Sequence, residues 1–494
     1  MDRPTVTSLP RRLVSDSAIY GLGGVANQAL AVILVPIYAN VLGVANYGTV
    51  ALVNTTLSLA TVIVTLALPQ AFFRSYLMEH ADERGRAWVL RTTLGLRLVT
   101  SLAGLAALVL LAVPLTNLLF GDMAQLPILI VIGPIVFCDT LNLVPLSFLR
   151  AERRPAAYAA LSLSRAVLGS LVIIIFVVVL HMGIFGVVLG SLISASVVAL
   201  AGVVVLARAH RIGLALDRPL VNRMLAFSLP LVPAAVAGWM LNLSDRYLVQ
   251  AFDGSQAVGI YSAGYSVGLV INALAVAPFS LAWGATFWEI ATTPSARQTY
   301  ARVMTGFVIF AAFIALGLSA LGTDVLRLLF QPDFEPSRFV VPFSAFAYVL
   351  YGTYSIGATG LNIEGRTRVL PLTLGAVAIG NVALNLVLIP SVGYIGAAVS
   401  TLLSYGLLAL STTVVSQRYY PVPWDLPRVV GALTLAMSLA ATALLGPDHI
   451  AWRLGCIAAY PVLVVLLRIV RKNDLVLLWA ALPGGRGSRQ KASR

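Results

Sequence analysis

The sequence predicts an all-α polytopic membrane protein. It has about fourteen transmembrane helices: two six-helix halves in a parallel repeat, then two C-terminal helices. Three observations predict this. Of 494 residues, 59% are hydrophobic and only 11% charged, where an ordinary soluble protein has about 25% charged. The apolar runs are long and uniform, unlike the ~10-residue alternating segments of a membrane barrel. A backbone solvated by lipid must bond within its own segment, so these runs are helices. Finally, the basic residues are confined to alternate loops, and the first half of the chain is echoed in the second.

A spanning helix takes about 20 apolar residues. The runs fall at 14–41, 47–70, 87–113, 125–149, 157–180, 183–207, 222–250, 257–289, 299–321, 339–362, 368–389, 394–416, 427–446 and 451–470. Proline and glycine mark many boundaries, as at Phe120-Gly121-Asp122 and Ile389-Pro390. With the N-terminus inside, the cytoplasmic segments hold 27 of the 33 Lys and Arg residues. The opposite side holds Arg327, Arg338 and Arg453, and Arg97, Arg165 and Arg246 lie deeper within the spans, whereas the 27 sit in loops or at cytoplasmic span ends. That bias sets both termini in the cytoplasm. One missed or extra helix would invert every later loop and destroy it. The expected division is a basic N-terminus at 1–13, halves at 14–210 and 211–420, the last two helices at 421–472, and a basic tail at 473–494. The N-terminus shows no small-residue cleavage pattern, so no removable signal peptide is expected.

Gly183-Ile184-Phe185-Gly186 opens one helix and Gly393-Tyr394-Ile395-Gly396 another. Gly48 matches Gly259, Pro69 matches Pro278, and Leu149-Arg150-Ala151-Glu152 matches Leu361-Asn362-Ile363-Glu364. The offset stays near 210 residues, a repeat of a whole half. Six helices is an even number, so the halves point the same way. Such parallel repeats are related by an axis along the membrane normal, with the substrate path at their interface.

Several function classes are excluded. The net charge of +14 is orientation charge in loops, and no basic face alternates with exposed aromatics, so no nucleic acid is expected as a partner. Cys138 and Cys456 both lie inside apolar runs, which argues against a disulfide framework or a zinc site. No phosphate-binding Gly-Lys loop or His-Glu metal helix occurs. The expectation is a protein with no metal or other cofactor, and no enzyme. The longest outer loop, about 321–338, is too short for the catalytic domain of a membrane-embedded polymerase or glycosyltransferase.

The stretch Phe227–Glu289 carries a distinctive pattern. Asp245-Arg246-Tyr247 precedes a turn at Asp253-Gly254-Ser255-Gln256, followed by Val258-Gly259-Ile260-Tyr261. With Tyr47-Gly48, Phe73-Arg74, Asn362-Ile363-Glu364-Gly365-Arg366, and Asn381, Asn385-Leu386, Ile389-Pro390, Gly393 and Gly396-Ala397-Ala398, it resembles the bacterial polysaccharide flippases. These are the O-antigen and capsule transporters of the multidrug/oligosaccharidyl-lipid/polysaccharide exporter superfamily. The resemblance covers roughly residues 14–417. It implies alternating-access export of undecaprenyl-pyrophosphate-linked oligosaccharide from the inner to the outer leaflet of the cytoplasmic membrane, for lipopolysaccharide or other surface polysaccharide. Polysaccharide polymerase and glycosyltransferases are the implied partners, beside the lipid bilayer itself.

Charges inside the membrane are the candidate site. Arg165 and Asp139 each lie eleven residues from a cytoplasmic arginine, roughly 16 Å deep at 1.5 Å per residue. They read either as a structural ion pair between neighbouring helices, or as a cavity cation beside an ion-coupling carboxylate. Arg97, roughly 9 Å deep, either snorkels to the cytoplasmic surface or meets pyrophosphate, for which a permanently charged planar donor is suited. Arg246 belongs near the outer surface, either snorkelling with Asp245 at its side or lining the external end of the path. Asp245 is the second ion-coupling candidate. Arg74 is an orientation charge or the first phosphate contact. Asn27, Asn54 and Asn242 either bond helix to helix or line a wet cavity. Tyr261, Tyr265, Trp239 and Trp283 are packing or sugar-stacking faces.

Two rivals within the superfamily stay open: a cation-coupled multidrug exporter and a lipid II flippase. The cationic path predicts that Arg97→Ala and Arg165→Ala each lower export while leaving membrane insertion intact. Normal export by both variants, followed in cells, would sink it.

Overall fold

The computed structural model describes residues 35–79, 82–209 and 213–470. Among them every regular element is helical. The first expected span lies almost wholly outside these residues, and with it Asn27.

Ten helical stretches are long and apolar enough to cross a membrane, or eleven if the bent pair Pro332–Phe339 and Val341–Ile363 is one span. The chain is a multi-pass membrane protein. The difference from fourteen has physical reasons. The run Arg218–Gly284 is one unbroken stretch by length, yet Gly254 interrupts it with φ 78 and ψ 179. The last helix, Ile450–Leu466, is a short one of 17 residues.

In the first half, the second span is α1 (Val44–Thr65) and α2 (Leu68–Arg74), separated by a break. Then come α3 (Glu83–Leu110), α4 (Leu126–Ala151), α5 (Pro155–Ile174) and α6 (Gly183–Arg208). In the second half, α7 (Arg218–Ser228), α8 (Val232–Leu243) and the start of α9 (Asp245–Ile271) make one bent span. Pro230 and Pro233 lie at the first bend, where each removes a backbone donor. After α10 (Ala277–Ala291) come α11 (Ala296–Leu329), α12 (Val341–Gly357), α13 (Val369–Val392) and α14 (Tyr394–Tyr419). The final hairpin is α15 (Leu426–Leu445) and α16 (Ile450–Leu466).

Equivalent places in the repeat close in the same way. Gly43, before α1, has φ 76, and Gly254, at the turn within α9, has φ 78. Both are left-handed positions that favour glycine. At the far end of α4, Arg154 N–H donates to the Leu149 carbonyl at 2.9 Å, and Arg366 N–H donates to Leu361 at 2.8 Å.

The halves meet closely at the end of the bundle that is poor in arginine. There α1 crosses α9 at two glycines. A Cβ on Gly48 would lie 1.8 Å from the Ser255 carbonyl oxygen, and one on Gly259 would lie 2.1 Å from that of Val44. Only hydrogen fits at either place. Asn40 fastens the same end: its Nδ2 donates to the Leu329 carbonyl and its Oδ1 accepts from Gln331 N–H, both at 2.9 Å. Tyr47 packs edge-on to Phe334, with centroids 5.8 Å apart.

The final hairpin rests on α11, where Ala320, Ala443 and Cys456 form a small buried contact. Arg453 ties it down, donating to Asp324 at 2.6 Å and to Asp448. Asp448, in the turn between α15 and α16, also takes Arg327, and that hydrogen bond holds its carboxyl below the usual range.

Replacing Gly48 or Gly259 with valine will part α1 from α9. Ile260 is only 9% exposed at this contact. In an Ile260→Cys background either valine variant should raise thiol labelling at least about tenfold, equivalent to about 1.4 kcal/mol of lost closure. Unchanged labelling in a folded variant would show that the crossing does not seal this end.

Candidate functional site

Asp245 and Arg246 open α9 in the second half, and both are buried, at 1% and 7% exposure. A buried charge persists only when paired and hydrogen-bonded, and this pair is both. Arg246 Nη1 donates to Asp245 Oδ1 at 3.0 Å and to the Asn242 carbonyl at 3.1 Å. Asp245 Oδ2 accepts from the Tyr261 hydroxyl and from Thr401 Oγ1, the latter at 3.5 Å. The guanidinium lies 4.7 Å from the centre of the Tyr265 ring and 5.6 Å from that of Tyr261, within cation–π range. Tyr405 and Tyr348 both donate to Asn242 Oδ1, at 2.6 and 3.3 Å. Tyr265 and Tyr348 share a hydrogen bond of 3.1 Å.

Arg246 has Asp245 at its side, as one expectation held. In this conformation it neither reaches the surface nor lines an open path: Asn242, Tyr261 and Tyr265 enclose it inside the second half. Trp239 and Trp283 are buried like Tyr261 and Tyr265, and the Trp283 indole donates to Thr359 at 3.0 Å, so none of the four offers an open stacking face in this conformation. Sequence reasoning missed Tyr348, Thr401 and Tyr405. The visible signal was a stripe of tyrosines at helical spacing, Tyr348, Tyr351 and Tyr354, on one helix.

In the first half, α4, α5 and α6 bring Asp139, Arg165 and Ser194 together. Arg165 grips Asp139 with two bonds, Nε to Oδ1 at 2.9 Å and Nη2 to Oδ2 at 3.2 Å. Its Nη1 donates to Ser194 Oγ at 2.6 Å. The side chains are 27% and 22% exposed, so this pair is only partly enclosed, unlike the one in the second half. Cys138 beside it is a half-buried thiol 3.6 Å from Ser196 Oγ.

Arg97 on α3 is 1% exposed. It reaches neither the surface nor an open cavity in this conformation, which departs from both expectations. Its Nη1 donates to the carbonyls of Thr65 at 3.1 Å and Val64 at 3.3 Å, at the end of α1. Arg74, at the end of α2, is half exposed and pairs with Glu79 at 3.2 Å. It stands 4.8 Å over the Phe227 ring. With Arg223 it lines a cleft of about 360 Å³ between α2 and α7, at the arginine-rich end. Sequence reasoning left Arg223 as a loop charge. Asn54 is exposed in the middle of α1, whereas Asn242 is taken up by Tyr405, Tyr348 and the Gly238 carbonyl.

The helical bundle that holds these two charge pairs has counterparts in fold. The structure superposes on the lipid II flippase MurJ in an inward closed conformation, with TM-score 0.71 and 15% identity over 93% of this chain and all of that one. An inward-facing multidrug resistance MATE transporter of the MOP superfamily gives 0.58 at 15% identity, covering 82% and 96%. An outward-facing MATE transporter gives 0.56 at 14%, covering 86% and 96%. At such identities the likeness is one of fold alone, a fold shared with MurJ and the MATE transporters. Residues 13–287, more than half of the chain, match the polysaccharide biosynthesis protein family, and the chain belongs to that family. An uncharacterized membrane protein of Methanocaldococcus jannaschii, MJ1068, is 22% identical over 230 residues, 44% of this chain and 45% of that one. The match therefore spans less than half the length of that relative.

Removing one member of the sealed pair strands the other. Asp245→Asn should cost about 3–5 kcal/mol of stability, read as a lower melting temperature in detergent. Asp245→Asn with Arg246→Gln should lose less than Asp245→Asn alone. Equal losses would mean the pair is not the unit described.

Proposed function

We propose that the protein is a flippase for an undecaprenyl-pyrophosphate-linked oligosaccharide, working by alternating access between its two six-helix halves. One observation carries the choice of an anionic substrate. Among the described residues, the carboxylates deep within the spans of the two halves, Asp139 and Asp245, are both already bound to arginine. An exporter of organic cations needs a carboxylate to spare. Arg74 and Arg223, by contrast, line an open cleft against the single carboxylate of Glu79. Arginine pairs and aromatic faces suit a pyrophosphate followed by sugar. Membership of the polysaccharide biosynthesis family supports the same substrate class.

In this reading the arginine-rich end is cytoplasmic, the membrane is the cytoplasmic membrane, and both termini lie inside. The head group docks at the Arg74–Arg223 cleft while its lipid tail stays in the bilayer. Opening of the Gly48–Gly259 crossing then exposes the path to the other leaflet. No bond of the substrate is made or broken, so the protein is a transporter and not an enzyme. Glycosyltransferases supply the substrate and a polymerase consumes the product. The half-open Asp139–Arg165 pair is the place where a proton or sodium gradient acts. The sealed Asp245 lies out of reach of ions in this conformation.

Reconstitution tests the reading. Purified protein in liposomes should make undecaprenyl-pyrophosphate oligosaccharide accessible from the opposite leaflet, and Arg74→Gln with Arg223→Gln should slow this at least about tenfold, about 1.4 kcal/mol of lost binding. An inactive protein that instead takes up organic cations against a gradient would establish the multidrug reading. Movement of lipid II alone would establish the peptidoglycan one.

A further inference from the structure

Pro69 has no amide N–H. In a straight helix the carbonyl four residues earlier, that of Thr65, would therefore lack a donor. The chain does not stay straight. Leu66 and Ala67 both take left-handed conformations, with φ 49 and 51, which side chains larger than glycine rarely adopt. The break ends α1 at Thr65 and starts α2 at Leu68. Buried carbonyls left without donors are costly in a membrane, and a neighbouring helix supplies the donor. Arg97 reaches both Val64 and Thr65 from α3. Helix carbonyl ends are negative, so they also offset its charge. No carboxylate pairs with Arg97 among the described residues, and its Nε finds no acceptor there. Close packing holds α3 in place: a Cβ on Gly104 would lie 2.4 Å from a Val64 methyl.

The second half solves the same problem otherwise. Its matching proline, Pro278, follows a five-residue π-helical segment, Asn272–Val276. The stretch Val303–Ala311, equivalent to the surroundings of Arg97, holds no cation. The arginine therefore answers a break found only in the first half. Past that break, α2 swings Arg74 to face Arg223 and Phe227 on α7.

We propose that Arg97 is a positioning residue: it clamps the Pro69 break and so sets the Arg74–Arg223 cleft, without itself meeting phosphate. Its effect on transport rests on the flippase reading, whereas the clamp does not. The test is a double-mutant cycle of Pro69→Ala and Arg97→Leu, read by thermal melting and by reconstituted transport. Arg97→Leu should lower the melting temperature by roughly 5 °C or more. Adding Pro69→Ala returns a backbone donor to Thr65, so the double variant should regain most of that loss. It should not regain transport, because the straightened helix carries Arg74 away from α7. Arg97→Lys keeps a cationic N–H donor group and should melt close to the wild type. If Arg97→Leu does not fold at all, recovery of folding in the double variant supports the clamp, and failure to recover overturns it. Additive melting shifts overturn it. So does an Arg97→Leu protein of unchanged melting temperature whose transport KM alone has risen, the signature of direct phosphate contact. Should the wild type move no lipid-linked oligosaccharide, the function reading fails while the melting cycle still decides the clamp.

Discussion

Every peptide group within the membrane spans must find a partner without help from water, and the architecture follows from that constraint. Unbroken helix meets it at no further cost, which is why most of the described chain is helical. Each departure from straight helix then needs a local answer. At Gly254 and Gly43 the answer is a residue with no Cβ. At Leu149–Arg154 and Leu361–Arg366 it is a carbonyl capped from beyond the helix end. At Pro69 it is a guanidinium from the next helix, and at Pro278 a widened π segment.

Charges obey the same rule with larger penalties, and the halves apply it differently. In the second half the acid–base pair is adjacent in sequence and wrapped by tyrosines, Asn242 and Thr401, so every oxygen of Asp245 is used. In the first half Asp139 and Arg165 come from different helices and remain partly open. A sealed pair favours one geometry, because moving any neighbour strands a charge. An open pair tolerates movement. The pair in the first half is accordingly the one open to its surroundings, and the pair in the second half the one locked in place.

Much of this was legible in the sequence, since hydropathy and charge segregation report the solvent directly. The helical class, the turn at Asp253–Gln256 and the meeting of Asp139 with Arg165 all follow from spacing along helices. Residue depth, however, says nothing about azimuth. Arg97 and Arg246 are both enclosed, because apart from the adjacent Asp245 their partners are backbone carbonyls and tyrosines scattered through the chain. Carbonyls leave no trace in a sequence. The pairing of Arg74 with Arg223 depends on the bend after Thr65, which the Pro69 signal marks but does not aim. Asn27 lies outside the described residues.

The crossing of Gly48 and Gly259 has a further meaning. Val44 meets Gly259 while Ser255, its counterpart in the repeat, meets Gly48. In an oligomer this would be an isologous contact, one patch touching its own copy across a two-fold axis. Here both copies lie on one chain. Two separate ancestral halves would have been able to associate through this patch before they were joined, and one glycine would then have served both sides. Once fused, the two sides are free to drift apart. Each glycine is needed on its own account, while surroundings such as Arg97 in one half and the π segment in the other differ.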